Sequence, residues 1–302
     1  MTLAEKRKIK AEEKKLEKEE ARAAFRLNQI KPTTNACFNI LFVLLSFVCL
    51  FPVFYVFMIS VSSTDSITKY GYRLFPDTYS TAAYTFLWNE RGTIFNSLII
   101  SVVVTVMGTV LGVLLTTMIG YVLSRPNYKL KGFFTWMVFI PMIFNGGMVA
   151  NYVVVANMLH LNNTIWCLVL PLAMSSFNVI ICKTFFRTTV PDSIIESAKI
   201  DGCGNLRFIF RILLPLTKSA IGAMAVYTFI NAWNMYMWPL LVTGSNEMRT
   251  VQIGISMLNS VDAQSITLMI AGVVMIILPS ISIFILGQKQ LIRGMFSGAV
   301  KG

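Results

Sequence analysis

The feature that most constrains this chain is a set of long apolar stretches without a single Asp, Glu, Lys or Arg. A membrane-spanning helix needs about 20 apolar residues, and the longest stretch, with 51 residues, can hold two such helices and a turn. The stretches are residues 32–64, 92–124, 132–182, 219–246 and 263–288. They predict an all-α, polytopic membrane protein with six transmembrane helices, at about 36–60, 94–123, 133–157, 164–182, 219–243 and 265–287.

The composition excludes two other classes of protein. The chain is 55% hydrophobic and 13% charged, whereas an average soluble domain has about 25% charged residues. Such a chain is too apolar to be a soluble globular protein or a disordered one. The formal net charge is +12, but the basic residues lie between the apolar stretches, which is typical of a membrane protein and not of a nucleic-acid binder.

The positions of the basic residues predict the orientation in the membrane. If both termini are cytoplasmic, 22 of the 26 Lys and Arg residues fall on the cytoplasmic side, as expected from the enrichment of basic residues in cytoplasmic loops. The predicted segments are a charged N-terminal arm at 1–35, the first transmembrane helix at 36–60, an extracellular loop at 61–93, a core of five helices at 94–287 that includes a cytoplasmic loop at 183–218, and a cytoplasmic tail at 288–302.

The predicted spans contain no Asp, Glu, Lys, Arg or His. Transporters driven by protons place ionisable groups at membrane depth, so proton coupling is disfavoured, and sodium coupling less strongly because carbonyls and hydroxyls can hold sodium. The sequence also lacks the phosphate-binding pattern GxxxxGK(S/T), and neither the cysteines nor the single histidine, His160, has metal-ligand spacing. We therefore expect no enzyme activity, no metal site and no cofactor in this chain, and an energy source on another subunit.

The cytoplasmic loop 183–218 carries the most specific pattern. Pro191 followed by Asp192 and Ser193 indicates a helix start, and Ser193 and Glu196 have the spacing of a capping box. Gly202 is expected to end this short helix. A second helix is predicted from about residue 205, with Pro215 breaking or kinking it before the fifth span. A short helix capped at both ends could be moved as a rigid lever by a second polypeptide.

This loop resembles a signature of permease subunits from bacterial binding-protein-dependent ABC importers. That signature is EAA, three residues, G, nine residues, I, one residue and LP. Here Glu196-Ser197-Ala198 is followed at the same spacings by Gly202, Ile212 and Leu214-Pro215. Ser197 replaces the usual alanine, and serine is small enough to preserve packing.

The resemblance implies an ABC importer type I permease fold and a coupling helix that docks on a cytoplasmic ATPase. The residues it assigns to ATPase coupling are Glu196, Ser197, Ala198, Asp201, Gly202, Ile212 and Pro215. It also implies four kinds of association: with a second, homologous permease subunit, with two copies of the ATPase that carry ATP and Mg²⁺, with an extracytoplasmic sugar-binding protein, and with the lipid of a bacterial cell membrane.

Two further runs are similar to sugar permeases of the maltose-transporter type. They are residues 231–240 in the fifth span and residues 144–148 in the third, and the second run resembles the subset for complex oligo- and polysaccharides. Sugars bind to aromatic faces and neutral hydrogen-bonding groups, which these regions supply. The candidate substrate-path residues are Asn145, Asn151, Tyr152, Asn231, Trp233, Asn234, Tyr236 and Trp238. Helix packing and an interfacial aromatic belt are the alternative explanation for the aromatic residues.

Other functions remain open from the sequence. A secondary transporter or channel would be active as a purified single chain, and a membrane enzyme would need a catalytic cluster that the sequence does not show. An ABC permease for a non-sugar solute would share the loop signature but work with a different binding protein.

Gly108 and Gly112 in the second span form a pair of small residues that predicts close helix packing.

Overall fold

The computed structural model describes residues 31–261 and 266–299, and within these ranges the regular structure is helical apart from one antiparallel bridge between Ser62 and Tyr79. The helices before the loop are α1 (Pro32–Ser60), α2 (Thr64–Tyr70), α3 (Ala82–Asn89), α4 (Arg91–Ser124), α5 (Lys131–Ile143), α6 (Gly147–Tyr152), α7 (Ile165–Val169) and α8 (Ser176–Thr189). Those that follow are α9 (Asp192–Ile200), α10 (Asn205–Phe208), α11 (Leu214–Leu216), α12 (Lys218–Trp233), α13 (Met237–Val242), α14 (Val251–Val261) and α15 (Ile266–Ala299).

The all-helical class is confirmed, and the number of spans is confirmed only in part. In the described ranges three helices are long and apolar enough to cross a membrane: α1, α4 and the part of α15 from Ile266–Lys289. Two bent helix pairs bring the number to five if each pair is one span. They are Ile165–Leu172 with Ser176–Thr189, bent by 40°, and Asn205–Leu216 with Lys218–Trp233, bent by 89°. Six continuous spans are therefore not confirmed.

Three of the predicted spans, the third, the fourth and the fifth, contain breaks. The third is divided between α5 and α6, where Gly147 has a φ of 75° that suits glycine. The fourth is interrupted before α8, whose first turn is capped by the Ser175 side chain accepting from the Asn178 N–H. The fifth is divided between α12 and α13 at residues 234–236. Each break leaves two helical pieces that are too short to cross the hydrocarbon core alone.

The chain divides into two units, residues 1–56 and residues 57–302. In the first, the described part is the apolar portion of α1, whose side chains up to Phe54 are all exposed. The predicted arm at 1–35 lies almost wholly outside the described residues. In the second unit, α15 continues as a helix through most of the predicted tail, to Ala299.

Helix α4 is at the centre of the second unit, where it contacts α5, α7, α8, α12 and α14. Its glycines allow this close packing. A Cβ atom on Gly108 would lie 2.8 Å from Leu172 Cδ1, and one on Gly112 would lie 2.9 Å from the Leu172 carbonyl oxygen. The predicted close packing at this glycine pair is confirmed.

We expect Gly112→Leu to destabilise the protein by about 1–3 kcal/mol, because overpacking forces neighbouring elements apart and the atom in the way belongs to the backbone of Leu172. Thermal unfolding of the purified variant would measure the loss. Gly132→Leu is the control, since a Cβ on Gly132 meets nothing within 4 Å. Equal unfolding temperatures for the two variants would contradict the packing role of Gly112.

Candidate functional site

Helix α9 begins two residues earlier than a capping box at Ser193 and Glu196 would require. Pro191 occupies the N-cap position with φ −62° and ψ 147°, and no side chain caps the helix. Ser193 is therefore inside the first turn, and the capping box predicted for Ser193 and Glu196 is wrong. Because Pro191 fixes the entry angle and has no N–H to satisfy, the helix can start at Asp192, whose negative charge favours a helix N-terminus.

The other end of α9 is closed as predicted. Gly202 has a φ of 71°. Its N–H donates to the Lys199 carbonyl at 3.0 Å, and the Cys203 N–H donates to the Ala198 carbonyl at 2.9 Å. This pair of bonds is the Schellman motif, which satisfies carbonyls that would otherwise lack partners. The glycine therefore gives α9 a fixed end.

One face of α9 is anchored inside the protein. Ile195 and Ala198 are buried, and they belong to a cluster that includes Tyr121 of α4, Phe186 of α8 and Phe208 of α10. The Tyr121 and Phe208 rings lie 5.5 Å apart. Ala198 is 7% exposed, so its side chain packs inward and is not part of an outer docking surface.

The opposite face of α9 is exposed, and we call it the α9 surface. It comprises Glu196, Ser197, Asp201 and Gly202 together with Ile200, which is 85% exposed. Ile200 was not among the predicted site residues. Its signal in the sequence is its position about 140° around the helix from Ile195, away from the buried face. Removing an exposed apolar side chain from water on contact with a partner is favourable.

After α9 the chain turns sharply before it enters α12. A short π-helix, Ile209–Leu213, precedes Pro215, and the Leu214 N–H donates to the Ile209 carbonyl. Pro215 is exposed and Ile212 is half-buried. The 89° bend follows at Thr217, whose hydroxyl donates to the Leu213 carbonyl at 2.7 Å. The predicted change of direction near Pro215 is present, two residues later.

A cavity of about 430 Å³ lies beside α9. One wall is the connection between α4 and α5, including Arg125 and Tyr128, and the other includes Glu196 and Lys199 of α9. The cavity is therefore lined by charged and polar groups of both signs.

The candidate path residues in the third span lie at and after its break. The Asn145 side-chain oxygen accepts a hydrogen bond from the Gly147 N–H at 2.9 Å, which holds the start of α6. Asn151 is exposed. Tyr152 is half-buried and packs on the cluster that contains Trp238.

The candidate path residues of the fifth span surround its break. Asn231 is exposed on α12. Asn234 is also exposed, and its side-chain NH₂ donates to the Ile230 carbonyl at 3.0 Å, near the end of α12. The Tyr236 hydroxyl lies 3.3 Å from the Ser256 hydroxyl of α14. These side chains can offer amide and hydroxyl groups to a neutral polar solute.

The two indoles proposed from the sequence occupy packing positions. Trp233 is 3% exposed, stacks on Phe229 at a ring distance of 6.2 Å, and donates from Nε1 to the Ile276 carbonyl at 3.1 Å. Trp238 is also buried and donates from Nε1 to the Cys167 carbonyl at 2.9 Å. Since both rings are enclosed by protein, neither offers a free face for stacking on a sugar.

Asn163 holds together two connections that the sequence did not relate. Its side-chain oxygen accepts from the N–H groups of Gly244 and Ser245 at 3.1 and 3.0 Å, and its own N–H donates to the Val242 carbonyl at 2.9 Å. Its φ of 57° is one that asparagine tolerates better than most residues. The link fixes the segment before α7 against the end of α13.

No three His, Cys, Asp or Glu side chains of the described ranges are grouped closely enough to hold a metal ion.

Comparisons with known proteins identify relatives over most of the chain. Residues 108–293 match the family described as the inner membrane component of binding-protein-dependent transport systems. The arabinooligosaccharides transport system permease protein AraQ of Bacillus subtilis (strain 168) is 34% identical over 267 residues, which cover 87% of this chain and 95% of the relative. The polygalacturonan/rhamnogalacturonan transport system permease protein YtcP of the same strain is 30% identical over 270 residues, covering 84% and 93%.

A solved structure shares the fold. It is a bacterial ABC transporter involved in the import of the acidic polysaccharide alginate, and one of its chains matches with a TM-score of 0.74 at 23% identity. The match covers 87% of this chain and 99% of that chain. The two chains therefore share a fold over most of their length.

Proposed function

Because the chain belongs to the family of inner membrane components of binding-protein-dependent transport systems, we propose that it is the permease subunit of an ATP-driven importer for oligo- or polysaccharides. The observation that carries this proposal is α9, a short helix with a fixed end, an anchored inner face and a charged outer surface. The carbohydrate class is supported by the names of the two relatives, which are permeases for arabinooligosaccharides and for polygalacturonan/rhamnogalacturonan.

The proposed mechanism is alternating access driven through α9. ATP binding closes a pair of ATPase subunits and displaces the α9 surface, on which Glu196, Ser197, Asp201 and Gly202 would make the contact. Since α9 packs on Tyr121 of α4 and Phe186 of α8, both helices would move with it. Interiors packed this closely transmit displacement instead of absorbing it. Hydrolysis of ATP then resets the helices.

The proposed complex contains a second homologous permease subunit, two ATPase copies that hold ATP and Mg²⁺, and an extracytoplasmic sugar-binding protein. This chain would contribute the path and the lever but no catalysis of hydrolysis. The α9 surface must then face the cytoplasm of a bacterial cell, with both termini on the same side. The excess of basic residues in the segments assigned to that side supports this orientation.

We propose that the substrate path lies at the breaks of the third and fifth spans. Broken helices in transporters expose backbone groups to a cavity and commonly line substrate sites. The polar side chains available there are Asn145, Asn151, Tyr152, Asn231, Asn234 and Tyr236. Trp233 and Trp238 are left out of this path because their rings are buried. Amides and hydroxyls can pair with sugar hydroxyls in both donor and acceptor roles.

The proposal is tested by purifying the chain with its partners and reconstituting the complex into liposomes with the binding protein. We expect an ATPase and a second permease to co-purify, and we expect radiolabelled pectin or arabinan oligosaccharides to accumulate only with ATP and without vanadate. Accumulation by this chain alone would instead establish a secondary transporter. ATP-driven uptake that these oligosaccharides neither use nor inhibit would refute the carbohydrate class.

A further inference from the structure

Arg125, the first residue after α4, is bonded to three helical elements at once. Its Nη1 donates to Asp192 Oδ1 at 3.2 Å, and its Nη2 donates to the Phe186 carbonyl at 3.2 Å. Its Nε donates to the Ser124 hydroxyl at 2.9 Å, and the guanidinium carbon lies 5.1 Å from the centre of the Tyr121 ring. The guanidinium therefore touches α4, α8 and the first residue of α9.

The arrangement uses properties that are specific to arginine. A guanidinium presents its N–H donors in a rigid planar fork and can also stack on an aromatic ring, whereas a lysine ammonium is a point charge on a flexible stem. The Arg125 side chain is only 15% exposed, while that of Asp192 is 62% exposed. An ion pair that is open to solvent contributes little by itself. Arg125 differs from such an exposed pair because its contacts with Ser124 and the Phe186 carbonyl hold the guanidinium in one orientation.

The apolar cluster beneath α9 and the guanidinium constrain α9 differently. Burial of Ile195 and Ala198 against Phe186 and Phe208 holds α9 to the protein and passes its displacement on, but hydrophobic burial is non-directional and does not by itself set the position of the α9 N-terminus. Hydrogen bonds have preferred angles and lengths. The bonds to Ser124 and the Phe186 carbonyl hold the guanidinium on α4 and α8, and the bond to Asp192 Oδ1 positions the N-terminus of α9 relative to these helices. Among the residues that form salt bridges in the described ranges, Arg125 joins separate helices, whereas Arg73 pairs with Asp77 four residues away.

We infer that Arg125 is a positioning residue for energy coupling: it fixes the N-terminus of α9 to the Ser124 end of α4, so that displacement of α9 moves α4. This inference rests on the proposed function, in which α9 is the lever. Without the link, an ATPase could still bind and push α9, but part of the displacement would be lost between α9 and α4. The role is distinct from docking, because the Arg125 side chain is mostly covered and bonds within its own chain.

The test measures solute transported per ATP hydrolysed in the complete reconstituted complex. We expect Arg125→Gln to assemble and to hydrolyse ATP, with the transport ratio reduced about tenfold, a typical size for the loss of a coupling contact. Arg125→Lys should recover only part of the ratio, since it keeps the charge but loses the fork. Asp192→Asn should reduce the ratio less. Lys129→Gln is the matched control, because it removes a positive charge from the same connection, and we expect the wild-type ratio.

Three outcomes would overturn the inference. The first is a wild-type ratio in Arg125→Gln, and the second is an equal reduction in Lys129→Gln. If Arg125→Gln does not assemble, Asp192→Asn decides, and an unchanged ratio in that variant is the third. Failure of the proposed function looks different, because the wild-type complex itself would then show no ATP-driven uptake. That result would reject the proposed role of α9 as a lever without any variant.

Discussion

Glu196→Lys is expected to abolish ATP-driven uptake. Glu196 is exposed on the α9 surface, and within the part of the chain that the structure describes its carboxylate forms no ion pair. If it meets a basic group on the ATPase, reversal of its charge replaces an attraction by a repulsion of about 2–5 kcal/mol. The association constant of the ATPase should then fall at least thirtyfold, or about 2 kcal/mol. Co-purification of the ATPase and uptake into liposomes measure the two effects.

The control for this variant is Ser197→Ala, the neighbouring position on α9. It restores the alanine that is usual in the family signature and removes only a side-chain bond to the Ser193 carbonyl. We expect normal uptake from it. Wild-type uptake in Glu196→Lys would exclude docking at this residue, and with it the assignment of the α9 surface to the ATPase.

Trp233→Ala is expected to lower the free energy of unfolding by about 3–5 kcal/mol, as other buried Trp→Ala changes do. The indole packs against Phe229, Val251 and Ile255, and its N–H is bonded to the Ile276 carbonyl. The change therefore leaves a cavity between α12, α14 and α15. Thermal unfolding in detergent should show the loss, and uptake should fall in proportion to the amount of folded complex.

Asn231→Ala, two residues earlier on α12, should behave in the opposite way. Its side chain is exposed, so the free energy of unfolding should change by less than about 0.5 kcal/mol. If the amide contacts the passing sugar, loss of one hydrogen bond of about 1 kcal/mol should slow uptake about fivefold. Unchanged uptake would remove Asn231 from the path. An unchanged unfolding temperature in Trp233→Ala would show that the indole is not a packing residue.

Some features could be predicted because their causes are local. The end of α9 at Gly202 follows from the left-handed conformation that glycine accepts, and the close packing of α4 follows from the spacing of Gly108 and Gly112. The capping box failed for an equally local reason. Pro191 is a competing start signal, and the spacing of Ser193 and Glu196 does not reveal which residue takes the N-cap position.

The apolar stretches by themselves determined that this chain is an all-helical membrane protein, because in lipid every backbone polar group needs a partner within the protein, and a helix of about 20 apolar residues supplies these partners from its own segment. Tertiary structure decided which spans are continuous, which indoles are buried and how Arg125 joins α9 to α4. Trp233 meets Ile276, and Arg125 meets Asp192. These partners are 43 and 67 residues apart in the chain, and only folding brings them together.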